Sequence, residues 1–94
     1  MTAAAAHAER RVTILTQRGL HARAAAKFVK LAAQFAAEVA VLKDGVTVSG
    51  RSIMGLMMLA AGPGTELTLV ATGADAAAAL DAIAALIAAR FDED

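Results

Sequence analysis

From Arg10 to Thr16 apolar and polar residues alternate, with Val12 and Ile14 turned one way and Arg11 and Thr13 the other. That period of two predicts a half-buried strand. Gln17-Arg18-Gly19 breaks it. From about Ala22 to Phe35 the period lengthens: Ala25, Phe28/Val29, Leu31/Ala32 and Phe35 recur at three- and four-residue steps, while Arg23, Lys27, Lys30 and Gln34 lie off the stripe. This is the pattern of an amphipathic helix. Glu38–Lys43 and Val46–Gly50 then flank Asp44-Gly45. A type I′ turn needs positive φ at both central residues, so this dipeptide between two β-rich runs predicts a hairpin. Its register would pair Lys43 with Val46 and Val41 with Val48, placing Val39, Val41, Val46 and Val48 on one face. Ser52 to about Leu59 predicts a short helix with Ser52 as N-cap. Gly62-Pro63-Gly64 closes it, and Thr65–Thr72 predicts a strand with Leu67, Leu69 and Ala71 on one side. Asp75 to about Arg90 predicts a last helix with Leu80, Ile83, Ile87 and Phe91 as its apolar stripe.

The order is therefore βαββαβα, which suggests an α+β fold with an antiparallel sheet covered by helices on one face. Residues 1–9 are expected to form a flexible tail, 10–91 one domain, and 92–94 a charged, solvated end. Composition adjusts this picture in one respect. Of 94 residues 27 are alanine, so the 59% hydrophobic fraction overstates the number of large core side chains. Alanine favours helix because it loses no side-chain entropy there.

Charge and chemistry narrow the function. With no cysteine and two histidines, disulfides and thiolate catalysis are excluded and a structural zinc site is not expected. No apolar run approaches the ~18–20 residues of a membrane span. No signal peptide is expected, since Met1–Ala8 lacks a basic cluster ahead of an apolar run. Residues 1–51 carry eight basic and three acidic groups, residues 52–94 one and six. Arg18, Arg23, Lys27 and Lys30 cluster near His21, which favours an anionic ligand or an acidic partner. The cluster is too sparse, and too poor in aromatics, for a nucleic-acid platform.

His21 follows Gly19-Leu20 and directly precedes a helix. Glycine lets the backbone come close to a ligand. The first helical turn presents unpaired N–H groups and partial positive charge, both suited to phosphate. Arg23 adds a planar donor fork. In this setting His21 reads as a phosphoryl acceptor through covalent attack by the imidazole, or simply as a residue that caps a helix; both readings stand at this stage. His7 lies in the alanine-rich tail and reads as solvated. Ser52 caps a helix beside Arg51, and a phosphate on it would place negative charge among apolar neighbours. Ile53, Met54 and Met57 belong to a helix too short to bury all its large apolar residues on one side, so some face outward, where methionine suits several partners.

Together these residues resemble the HPr family, the histidine-containing phosphocarriers of the bacterial phosphoenolpyruvate:sugar phosphotransferase system. Gly19-Leu20-His21-Ala22-Arg23-Ala24-Ala25 is similar to that family's active-site motif, Ser52-Ile53-Met54-Gly55-Leu56-Met57 to its regulatory-serine segment, and Gly64–Leu69 to a later strand. The resemblance runs from about Arg10 to Arg90. It implies an open-faced β-sandwich of four antiparallel strands and three helices. It implies that His21 takes phosphate on Nδ1 from phospho-Enzyme I and passes it to an EIIA domain, with Arg23 supporting the phosphohistidine. Ser52 would be the target of an HPr kinase/phosphorylase where one exists. Leu20, Lys27, Ile53, Met54 and Met57 match positions of the docking surface. The implied protein is a cytoplasmic carrier rather than a turnover enzyme, with no cofactor, metal, nucleic acid or membrane insertion. Two alternatives accompany this reading: a regulatory, nitrogen-type carrier not coupled to sugar transport, and an α+β binding module without phosphoryl chemistry. Ala24 stands where the family motif usually has proline, keeping the helix and adding one backbone donor.

Overall fold

A computed structural model describes residues 6–93. Four strands, β1 (His7–Thr13), β2 (Glu38–Lys43), β3 (Val46–Ser49) and β4 (Glu66–Thr72), form one sheet in the order β1-β4-β2-β3. Every neighbouring pair is antiparallel. Three helices, α1 (Ala22–Ala32), α2 (Ile53–Met58) and α3 (Ala76–Ala88), complete the expected βαββαβα order.

The sheet buries one face. Val12 pairs with Leu67, Val39 with Ala71 and Val41 with Leu69, and all six are buried against the helices. Phe28 of α1, Leu56 of α2 and Leu80, Ile83 and Ile87 of α3 fill the layer above them. Ala24, Ala25, Ala32, Ala76 and Ala79 are buried too. Their small side chains keep this layer thin, so each large apolar group sits against several neighbours. The predicted hairpin forms in the predicted register, Lys43 with Val46 and Val41 with Val48. Asp44 and Gly45 both adopt positive φ (48° and 81°), as a type I′ turn demands.

Several boundaries differ from expectation, among them the end of β1 at Thr13 rather than Thr16. Strand β1 begins at His7, opposite Thr72, rather than at Arg10. Residues 7–9 are thus paired strand and not tail, and His7 is anchored although exposed; residues 1–5 and 94 lie outside the described residues. The half-buried position of this extension is Ala8, which carries little hydrophobic signal. Arg10 reaches Asp81 on α3 at 2.8 Å. Helix α1 ends at Ala32 instead of Phe35, because Gln34 and Phe35 donate to the carbonyls three residues back, tightening the last turn. Helix α3 stops at Ala88. Arg90, Phe91 and Asp92 then take left-handed φ values of 56°, 55° and 59°. Phe91 is fully buried, as its stripe position predicted, but it arrives there by leaving the helix.

Two ties hold the loops, one at each end of the sheet. Gly19 has φ +66°, and a Cβ there would lie 2.3 Å from the Ala61 carbonyl oxygen. At the other junction the Asp75 carboxylate accepts from the Ala36 N–H at 2.8 Å, joining the start of α3 to the loop before β2.

Gly19→Ala combines a left-handed conformation with a backbone clash. It is expected to cost at least about 1–3 kcal/mol, seen as a lower urea midpoint with an unchanged denaturant slope.

Candidate functional site

The segment before α1 is pinned in place by backbone chemistry. Thr16, buried, donates its hydroxyl to the Gly19 carbonyl at 2.8 Å. Gly19 N–H donates back to the Thr16 carbonyl at 3.0 Å, and Leu20 N–H donates to the Ala61 carbonyl at 2.8 Å. Leu20 plugs into the core at 5% exposure. Its expected place on a docking surface is therefore corrected: a branched apolar side chain beside a tight turn anchors the loop from beneath.

This anchoring delivers His21 to the N-cap of α1 with extended backbone angles (φ −77°, ψ 177°). Its carbonyl accepts the first helical bond, from Ala25 N–H at 2.8 Å. Its side chain makes no capping bond, so the simple cap reading of His21 does not describe this geometry. The imidazole, 20% exposed, stands beside the unpaired first-turn N–H groups that every helix start leaves. Ala24 is buried in that turn. It preserves the helix where proline was the family's usual choice.

Thr16, Gln17, Arg18, His21, Arg23 and Glu93 line a shallow cleft of about 270 Å³. That is below the ~300–1,000 Å³ typical of pockets that engulf a small molecule, but ample for one phosphoryl group approached from outside. Glu93 is the surprise of the site. Its carboxylate meets Lys27 Nζ at 3.0 Å, Arg23 at 3.2 Å and His21 Nε2 at 4.0 Å, and its side chain is only 13% exposed. The expectation that residues 92–94 form a solvated end is thus corrected at Glu93. The hydrogen bond from Lys27 leads in holding its carboxyl below the ordinary value of 4.5; the nearby Lys27 and Arg23 charges add to it, against a desolvation penalty. Lys27 also donates to the Phe91 carbonyl at 2.6 Å, so this expected docking residue is engaged within the molecule. Arg23 remains 67% exposed despite its ion pair.

The remaining candidates gather on α2, which packs beside α1. Ser52 is its N-cap, its hydroxyl accepting from Gly55 N–H at 2.9 Å. Gly55 sits where a Cβ would press on Val48 of β3 at 3.2 Å. Lys43 Nζ donates to the Leu59 carbonyl at 2.7 Å, covering the far end of the helix. Leu56 and Leu59 point into the core, whereas Ile53, Met54 and Met57 are exposed. Met58, absent from the expected surface, is the most exposed of the group at 76%, next to Met54 at 70%. The four-residue step between these two methionines was the available signal.

Residues 8–89 match the family model described as the PTS HPr component phosphorylation site. The chain belongs to the HPr family. It is similar to the phosphocarrier protein NPr of Shewanella violacea (51% identity over 85 residues, 90% of this chain and 93% of the relative). It is also similar to the phosphocarrier protein HPr of Cupriavidus necator (49% identity, 90% and 96% covered). The crystal structure of HPr-C-His from Thermoanaerobacter tengcongensis superposes with a TM-score of 0.88 at 39% identity, covering 93% of this chain and 98% of that one. The protein is accordingly a phosphocarrier of the phosphotransferase system, and HPr membership implies dealings with that system's enzymes. Among the described residues no helix is long and apolar enough to cross a membrane, and no group of three or more potential ligands is placed to hold a metal ion.

Because folding holds Glu93 ionised more tightly than the unfolded chain does, its contribution to stability is fully present above the unfolded pKa and is lost as the pH falls through the lower folded value. Comparing thermal unfolding of the wild type with Glu93→Gln should show a modest Tm difference at neutral pH that closes as the pH falls through the lowered folded pKa of Glu93. A difference that persists unchanged in acid would contradict the ion cluster.

Proposed function

We propose that His21 is the residue that carries the phosphoryl group, taking it in the cytoplasm from phospho-Enzyme I and delivering it to an EIIA domain. The observation supporting this most directly is an imidazole at a helix N-cap that leaves the cap bond unmade and instead opens onto a cleft with Arg18 and Arg23. In the transfer the Nδ1 lone pair attacks phosphorus. The new N–P bond forms as the donor's P–N bond breaks, and the electron pair of the broken bond stays with the donor's imidazole. Arg23 and the first-turn N–H groups face the phosphoryl oxygens, binding negative charge with charged and dipolar donors. The reverse geometry serves the acceptor equally well, as a carrier requires. The chemistry is shared by sugar-uptake and regulatory chains; the EIIA domain that accepts the group fastest assigns the branch.

Ile53, Met54, Met57 and Met58 form the apolar platform on which both partners would dock, with Lys27 at its margin. Ser52 sits at the start of this platform. A phosphate placed there by an HPr kinase/phosphorylase adds about two negative charges beside it, disfavouring an acidic or apolar partner surface.

Incubation with phosphoenolpyruvate and a cognate Enzyme I should label the wild type with acid-labile phosphate and leave His21→Ala unlabelled. Equal labelling of the two proteins would overturn the assignment. Ser52→Asp should slow transfer from Enzyme I by tenfold or so, the effect of about 1.4 kcal/mol at the transition state. Unchanged kinetics would remove α2 from the docking surface.

A further inference from the structure

Sulfur in this chain is confined to methionine. There is no cysteine, and three of the four methionines, Met54, Met57 and Met58, lie together in α2. Methionine usually fills gaps in cores, where its flexible thioether adapts to irregular space. Here none of the three belongs to the core. Met58 and Met54 are 76% and 70% exposed, and Met57 41%. Met54 and Met58 are four residues apart and therefore share one face of the helix.

The helix does not depend on these two side chains. Leu56 and Leu59 attach it to the core. Ser52 Oγ accepts from Gly55 N–H at its start, and Lys43 Nζ donates to the Leu59 carbonyl at its end. A chemical change at the outer thioethers thus leaves the fold in place and alters only the surface that a partner meets. A thioether is also an apolar group that mild oxidation converts reversibly into a polar one. The sulfur gives up two electrons and gains an oxygen atom as the peroxide O–O bond breaks, and the other peroxide oxygen leaves as water. No charge appears. The new oxygen is a hydrogen-bond acceptor, and covering it in an apolar contact without a donor is unfavourable.

We propose that Met54 and Met58 form a reversible oxidation site, taking oxygen from hydrogen peroxide, and that their sulfoxides weaken the docking of Enzyme I on α2. This rests on α2 being the docking platform of the proposed carrier. The platform then has two inputs of different kind. A phosphate on Ser52 adds charge at one end of the helix, whereas the sulfoxides add neutral polarity along its outer face and need no kinase. Met57, less exposed, reacts later.

The test uses the full chain treated with hydrogen peroxide, each sample compared with its own untreated control. Peptide mass spectrometry should find one added oxygen on Met54 and on Met58 before Met57. The KM for phosphoryl transfer from Enzyme I should rise about three- to tenfold, the effect of one or two apolar contacts turned polar, with kcat little changed. Loading of His21 by potassium phosphoramidate, which involves no docking, should keep its rate, and the thermal unfolding midpoint should hold. Methionine sulfoxide reductase with a thiol reductant should restore the KM. The double variant Met54→Leu/Met58→Leu lacks both thioethers at similar side-chain volume, and its KM should not respond to peroxide. The oxidation site is overturned if the wild-type KM stays constant, if the double variant responds as strongly, or if Met57 reacts first. A fall in phosphoramidate loading or in the unfolding midpoint alongside transfer overturns it too. Ser52→Asp separates the two readings. Slowed transfer in Ser52→Asp with an unmoved KM after oxidation removes the oxidation site alone, whereas normal transfer in both removes the docking platform.

Discussion

A sheet that buries a single face has to fix its register, because a slip of one residue would turn every inward side chain to solvent. The structure rests on that constraint. Val12, Leu67, Val39, Ala71, Val41 and Leu69 lie on the covered side, and the helices above them are thinned by alanine until the layer closes. Once the register is set, the loop that leads into α1 and the loop that leaves α2 are brought close at one end of the sheet. Leu20 then bonds to Ala61 across them. The placement of His21 is thus inherited from strand pairing, and its own loop supplies only the last adjustment.

Local chemistry was legible in the sequence wherever it was decided by neighbours. Asp44-Gly45 fixes its hairpin because two adjacent positions must take positive φ. Ser52 caps its helix because the acceptor and the donor it serves are three residues apart. His21 stood out because a glycine turn, a helix start and Arg23 fall within five residues. What the sequence concealed depends on contacts between distant segments. Nothing in the run from Arg90 to Glu93 announces a left-handed turn, since no glycine or asparagine marks it, and its conformation is imposed by the buried Phe91 and by Lys27. The burial of Leu20 likewise depends on a distant segment, the loop around Ala61. The start of β1 is hidden because Ala8, the half-buried residue of His7–Glu9, gives little apolar signal.

The same contrast explains how charge is arranged. The excess of positive charge in residues 1–51 is drawn down where it matters most, beside His21, by a carboxylate from the far end of the chain. A net-neutral protein therefore avoids an intense local field at rest, yet keeps the cations positioned for an arriving anion.

Helix α2 carries one more consequence. It has six residues, well short of the roughly 12–15 at which isolated helices begin to persist in water. Its start is capped by Ser52, its middle lies on Val48 through Gly55, and its last carbonyls are covered by Lys43. A beam clamped at both ends and supported at mid-span does not bend when one clamp acquires charge. A phosphate on Ser52 would still offer an oxygen to Gly55 N–H, so a partner would meet an altered potential on an unaltered shape. On this view the serine works as a sign painted on a rigid surface, readable by any protein that docks there and invisible to one that senses only conformation.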